Sequence, residues 1–328
     1  MKSLDRKLAD LHARPSASGA FILADAKDAD MAFGLAAPGT DPITGRRRSL
    51  ADYRDQIREV VSQGLVDIML MSVSSSELLV VEEQLFDVST VTPAVRANDT
   101  TDIHMLAGAN YPRQPSRPFR SASVRQIKQR AGVDLGLYSI TPANDAEVDV
   151  AALHAYRDFR TEAEQEGLRH FLELFAPNVA PQAPEDPGRF LNDFVARTLA
   201  GVPKADRPLF LKLPYSGAQA MQALASYDPH LVPGILGGAS GTTYDAFFLL
   251  EHARRNGARA ALFGRKIKDS EHPLTFVQYL RLIADGNVDA ADACRAYHAD
   301  LGRLGIAPYR PLEQDLQLTE ASAAFDPQ

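Results

Sequence analysis

The chain holds a single cysteine, Cys294, among 328 residues. That excludes an intramolecular disulfide and any cysteine-built zinc cluster. Positive charge is also scarce: Lys+Arg 35 against Asp+Glu 42 leaves a formal net charge of −7. A chain of this sign lacks the basic footprint of sequence-nonspecific nucleic-acid binding, although a local basic pocket for a small anion is compatible with it. No apolar run approaches 18 residues, so no membrane span is expected. The N-terminal MKSLDRKLADLHARPSASG has mixed charge and no apolar core, unlike a secretory signal. A cytoplasmic enzyme with no nucleic-acid or membrane partner is the expectation. The eight histidines show no H-x-H, H-x-x-H or H-E-x-x-H spacing, so no metal is expected. Asp99, Asp102 and His104 form one compact ligand-like group and read as a hydrogen-bonded loop. Ser74 to Ser76 and Ser240 have no evident histidine partner, so serine-triad chemistry is unsupported.

What is present is an ordinary globular composition, 45% hydrophobic and 23% charged, with enough apolar material for a sizeable core. Short apolar runs alternate with segments of helical periodicity. The runs are 20–24, 66–71, 91–95, 136–140, 171–175, 208–213, 232–236 and 260–263. Helical spacing follows at 50–63, 75–86, 150–166, 190–199, 218–226, 244–255 and 274–284. Eight strand-then-helix units with near-continuously apolar strands predict a (β/α)8 TIM barrel rather than a sheet with one wet face. The first strand–helix turn lacks G-x-G-x-x-G, which argues against an open dinucleotide-binding sheet. The whole chain, 1–328, reads as one barrel domain. A long Arg/Pro-rich insertion follows strand three at 98–125, and a tail at 307–328 wraps the outside or meets a neighbouring subunit. Long segments of this kind serve as lids, binding loops or arms, or are surface excursions. Cys294 sits in a late helical segment and reads as structural.

In such a barrel the reacting groups stand at the C-terminal ends of the strands. Strand one delivers Asp25 and Lys27, strand two Ser72, strand three Arg96, Asn98 and Asp99, strand four Ser139 and Thr141. Lys212 in FLKLP is the most informative position. An ammonium amid leucines and phenylalanine is costly unless paired or used. Desolvation favours neutral amines, and a neutral amine attacks carbonyls to form a Schiff base. Glu173 in FLELF is equally out of place among apolar neighbours. It is either the counter-charge of Lys212, a proton carrier for it, or both. Asp25 suits acid/base work or substrate hydroxyls, or caps the following turn. Gly237-Gly238 in GILGGASG and Gly264-Arg265 in FGRK stand where barrels recurrently bind phosphate, with Lys27 and Arg96 as further cations for an anionic substrate.

The order of these residues resembles the class I, Schiff-base aldolases of the DeoC/LacD type, which include tagatose-bisphosphate and sulfofructose-phosphate aldolases. FLELFAP, LFLKLP, GILGGASG and ALFGRKI carry the likeness over 170–268, and FILADAKDADM extends it to the first strand. The chain departs from that pattern in three places. No acidic residue closely follows Lys212, Gly237-Gly238 replaces a common Ser-Gly pair, and the 98–125 insertion is unusual.

The resemblance implies a metal-independent, cofactor-free lyase acting on a keto-sugar phosphate or related acidic carbohydrate. Lys212 would form the iminium, Glu173 would move protons, and Asp25 would hold substrate hydroxyls. Gly238, Gly264 and Arg265 would hold the phosphate. A transaldolase, an acyl transferase or an isomerase on the same barrel stays open. So do a metal-dependent aldolase and a silent barrel that only binds sugar phosphates. Apolar residues in the late helices and the insertion suggest a homo-oligomer.

Overall fold

The computed structural model describes every residue except 16, 42–43, 180–182, 239–240 and 320–328. Eight strands run in parallel: β1 Ile22–Lys27, β2 Ile68–Met71, β3 Thr92–Arg96, β4 Leu135–Ile140, β5 Arg169–Leu174, β6 Leu211–Lys212, β7 Gly234–Leu236 and β8 Ala260–Phe263. Their order is β6-β5-β4-β3-β2-β1-β8-β7. The remaining seam closes by backbone bonds: the Leu213 N–H donates to Gly234 O at 3.0 Å, and the Leu236 N–H to Leu213 O at 2.9 Å. The sheet is therefore a barrel, as the alternation predicts.

Each strand divides its side chains between lumen and helical layer. Ile22, Ala24, Ile68, Leu70, Ala94, Leu135, Leu137, Phe171, Phe210, Ala260 and Leu262 pack into one buried cluster, which fills the lumen. The alternate residues, such as Leu23, Met69 and Phe263, or Val95, Ile140 and Leu172, pack outward against helices. Phe171 and Phe210 stack with centroids 4.4 Å apart, one pleat below Glu173 and Lys212. That pair is the floor on which the polar mouth of the barrel rests.

The main helices are α1 Ser3–Ala13, α2 Leu50–Gln63, α3 Val124–Gln129, α4 Ala146–Glu166, α5 Pro187–Ala200, α6 Ala218–Tyr227, α7 Thr243–Arg255, α8 Pro273–Ala284, α9 Ala290–Arg303 and the single turn α10 Leu312–Asp315, with further short helical turns at Ala29–Phe33 after β1 and Arg265–Lys268 after β8. Capping starts several of them. Ser49 and Asp52 form a reciprocal capping box on α2, and Asp145 accepts the Glu147 and Val148 amides of α4. Among the described residues no helix is long and apolar enough to cross a membrane.

Three features differ from the sequence expectation. The N-terminal segment is a helix whose Leu4, Leu8 and Leu11 join the lumen cluster, so α1 plugs the bottom of the barrel. Lys7 ties it there, donating to Phe21 O at 2.8 Å and Asp67 Oδ2 at 2.7 Å. The segment predicted as one helix at 75–86 is instead an α-helical turn, Val73–Ser76, running into a π-helical stretch, Glu77–Glu82. The segment between β3 and β4 contains ordered elements: Asp99–Thr100 pairs antiparallel with Pro118–Phe119, and α3 follows.

Of the tail, residues 320–328 lie outside the described residues. The preceding turn α10 docks on the barrel's own helices. Asp315 Oδ1 accepts the Thr243 amide at 2.8 Å and Oδ2 meets His298 Nε2 at 2.8 Å. Cys294, His298 and Asp315 bring their ligand-type atoms within 4.8 Å of one another. The Asp315 carboxylate is, however, taken up by Thr243, His298 and Arg310, and burial pushes the Cys294 thiol up to about 12. The trio therefore acts as a latch between α9 and α10.

Removing the floor ring by Phe171→Ala should cost about 3–5 kcal/mol, the usual toll for truncating a buried phenylalanine. Urea unfolding followed by circular dichroism measures it, and a loss below about 1 kcal/mol contradicts the packing described.

Candidate active site

Lys212, the last residue of β6, and Glu173 of β5 sit opposite one another in register. Lys212 Nζ forms an ion pair with Glu173 Oε1, both side chains being almost wholly buried. The pair is the end of a longer chain. Glu173 Oε2 accepts from the Ser139 hydroxyl of β4 at 2.6 Å and from Arg96 of β3 at 3.2 Å. Arg96 also donates to Ser139 Oγ at 3.0 Å and pairs with Asp28, while Asp99 lies 3.8 Å away. Asn98 fixes Ser139 from behind, exchanging bonds of 2.6 and 2.8 Å with its backbone.

Electrostatics follow from this wiring. Burial pushes the Glu173 carboxyl up, but Lys212 and Arg96 together prevail and hold it below its ordinary value. Burial opposes the Arg96 charge, and the surrounding Asp28, Glu173 and Asp99 carboxylates outweigh it, so the guanidinium stays protonated. Asp99 goes the other way. Its burial exceeds the help from Arg96 and moves the carboxyl up to about 6, with Asp28 and Glu173 adding repulsion. One guanidinium is thus shared among three acids, and the weakest claimant is Asp99.

These groups open into a cavity of about 140 Å³ at the C-terminal mouth, whose walls include Asp28, Arg96, Glu173, Lys212, Gly237, Gly238, Gly264 and Arg265. Phe33, Ile103 and Phe175 form an apolar part of the wall. Seven of the nine candidate residues therefore come together. Asp25 and Lys27 do not. The first strand was expected to end at Ala24, but β1 continues to Lys27, so Asp25 and Lys27 lie inside it with the parity of Leu23. They face the helical layer, pair with each other at 2.6 Å and are buried there. Burial raises the Asp25 carboxyl, with Lys27 opposing. The lumen parity of Ala24 and Ala26 leads to Asp28, the carboxylate that sequence reading missed; counting in twos from the apolar lumen residues would have found it.

The glycines also divide. A Cβ at Gly237 would lie 2.0 Å from the Phe263 ring, and one at Gly264 2.6 Å from Ala26 O. Packing alone demands glycine at both, and the Gly237 amide is already given to Leu262 O at 2.9 Å. Gly238, which lines the cavity, has φ 62° with open space where a side chain would be, so it is the turn residue of the pair. Ala239 and Ser240 lie outside the described residues. Arg265 is exposed at the rim, its guanidinium 5.5 Å from the Phe33 centroid. Arg96, expected to bind substrate, spends its charge on protein carboxylates. Of the Asp99, Asp102 and His104 group, Asp99 joins the Arg96 cluster, whereas Asp102 and His104 are loop scaffolding. Asp102 accepts from Ser116 and Thr141, and His104 packs edge-on to Phe119.

No family model matches the chain, and no curated protein sequence does. Solved structures do. A Schiff-base-forming fructose-1,6-bisphosphate aldolase aligns over 86% of this chain and 100% of its own, at 15% identity and TM-score 0.63. An archaeal fructose-1,6-bisphosphate aldolase, solved with its catalytic lysine covalently bound to the carbinolamine intermediate, covers 87% and 100% at 16% identity and TM-score 0.62. A Corynebacterium glutamicum protein covers 88% and 99% at 18% identity and TM-score 0.55. The fold they share is the TIM barrel. At these identities the likeness speaks for the architecture alone.

Two outcomes test the wiring. Arg96→Met strands three carboxylates around an apolar side chain and should lower stability at pH 7.5 by about 3–5 kcal/mol, read by urea unfolding. Asp99 has a folded pKa raised to about 6 from an ordinary value of 3.8. Its favourable contribution is therefore complete below about pH 4 and lost as pH rises through 6. The stability of the wild type relative to Asp99→Asn should fall by about 2–3 kcal/mol between those limits. A pH-independent difference contradicts the assignment.

Proposed function

We propose that the protein is a class I aldolase that makes or breaks a carbon–carbon bond in a keto-sugar phosphate or related acidic carbohydrate. The observation that carries this reading is Lys212 at the lumen end of β6, paired with Glu173 and opening into the mouth cavity. A lysine serving only as an internal counter-charge has no need of a cavity beside it.

The chemistry runs through these groups. Glu173 takes a proton from the Lys212 ammonium, and the neutral Nζ attacks the substrate carbonyl carbon, the proton that the nitrogen sheds passing to the carbonyl oxygen. The carbinolamine hydroxyl leaves as water with a proton returned from Glu173, giving the iminium. Cleavage then moves the bonding pair of the adjacent carbon–carbon bond into an enamine as the distal hydroxyl loses its proton. Asp28 is the cavity carboxylate placed to take it, the role first assigned to Asp25. Asp28 returns that proton to the enamine carbon, and hydrolysis of the resulting iminium by water frees the second product and restores Lys212. Ser139 and Arg96 hold the Glu173 carboxylate in position through this cycle, each bonding Oε2 and leaving Oε1 to the lysine. The Gly238 turn and Arg265 supply the anion end.

The fold neighbours, one named as a Schiff-base-forming aldolase and one as an aldolase with its catalytic lysine bound to a carbinolamine, support the reading. Borohydride reduction in the presence of dihydroxyacetone phosphate should add one reduced ligand mass, mapping to Lys212, and Lys212→Ala should add none. Glu173→Gln should cut turnover by about 10²–10⁴-fold, as expected for loss of a proton-transfer group. Thermal stabilisation by keto-sugar phosphates with no adduct from any of them would point to an isomerase or a binding barrel instead.

A further inference from the structure

The two ends of the cavity differ in charge. In the ring of strands β3 stands four places from β7, diametrically across the barrel. On the β7–β8 side lie Gly238, with its open positive-φ turn, and the exposed guanidinium of Arg265. On the β3 side lies Arg96, engaged by Asp28, Glu173 and Asp99. Counting Lys212, that buried cluster holds two cations against three carboxylates. An additional anion brought against it would meet carboxylates whose only nearby guanidinium is already shared.

The cover over that half is apolar. Ala29, Ala32 and Ile103 stand in the cavity wall, and Phe33 carries that wall across to Arg265. The Met105 amide donates to Ala32 O at 2.8 Å, strapping the β3–β4 segment onto the loop after β1. Among the described residues the remaining cation in the lining is Lys268, whose Nζ donates to Ala37 O at 3.0 Å and pairs with Asp269 at 3.3 Å. A neutral hydroxyl fits opposite Asp28, whereas a phosphate dianion finds no free cation there among the described residues.

We infer that the site takes a substrate bearing one anionic group, seated at the Gly238–Arg265 end, and discriminates against a second phosphate at the far end of the same molecule. This rests on the aldolase reading for the identity of the site, and it separates the chain from the bisphosphate aldolases whose fold it shares. The discrimination arises because a second phosphate would have to displace a carboxylate from Arg96 or stay unpaired beneath an apolar roof.

Hexitol phosphates have no carbonyl, so they bind without Schiff-base formation and test anion number separately from catalysis. Calorimetric titration of the wild type should give at least tenfold tighter binding of hexitol 1-phosphate than of hexitol 1,6-bisphosphate. Arg265→Ala should weaken the monophosphate about tenfold while leaving Tm unchanged, because Arg265 is exposed. Equal or tighter binding of the bisphosphate, or no measurable binding of either, overturns the inference. The borohydride adduct at Lys212 is decided by a separate measurement, so failure of the aldolase reading would be seen independently.

Discussion

One buried guanidinium organises the mouth of this barrel. Arg96 draws Asp28 from the loop after β1, Glu173 from β5 and the Ser139 hydroxyl from β4 into a single network. Without a cation there, three carboxylates would stand close together in an apolar tube, and none could stay ionised cheaply. With it, Glu173 is held as a carboxylate and can in turn hold Lys212. Lys212 is therefore positioned by a residue that it does not touch. Beneath this layer the stacked Phe171 and Phe210 and the leucines of α1 keep water out from below, which strengthens each charge interaction above.

Much of the architecture is legible in the sequence because parallel barrel strands are buried on both faces. Runs such as Val66 to Met71 or Ala260 to Phe263 have no surface alternative. For the same reason a charge within such a run stands out, and Lys212 and Glu173 are found by that anomaly alone. What fails is parity. Asp25 and Lys27 are anomalies too, but β1 runs three residues past the expected end and turns them toward α2 and its neighbours. Anomaly reports burial; it does not report which face. Arg96 is visible as a strand-end cation, yet its partners come from three other strands, and no local pattern encodes them. Helix α1 escapes because a plug needs only three leucines at helical spacing, and its remaining residues read as an ordinary polar terminus.

The β3–β4 segment shows a different limit. Its prolines and arginines signal a loop, and much of it is one. Its structural effect comes from main-chain contacts that composition cannot foreshadow. Met105 bonds to the loop after β1, and Asn178 beyond β5 donates to the Pro112 and Gln114 carbonyls. The segment is thereby attached to two separated parts of the rim, with Ile103 turned into the cavity between them.

The three glycines of the mouth will diverge differently among any relatives of this chain. Positions 237 and 264 are fixed by the Phe263 ring and by the β1 backbone, so packing asks for glycine at both whatever the site binds. Position 238 has room for a side chain and asks only for a residue that accepts a left-handed backbone, which asparagine does. Retained glycine at 237 and 264 is thus a record of how the strands pack. Only the variation at 238, read together with the fate of Arg265, carries a record of what the site has been selected to hold.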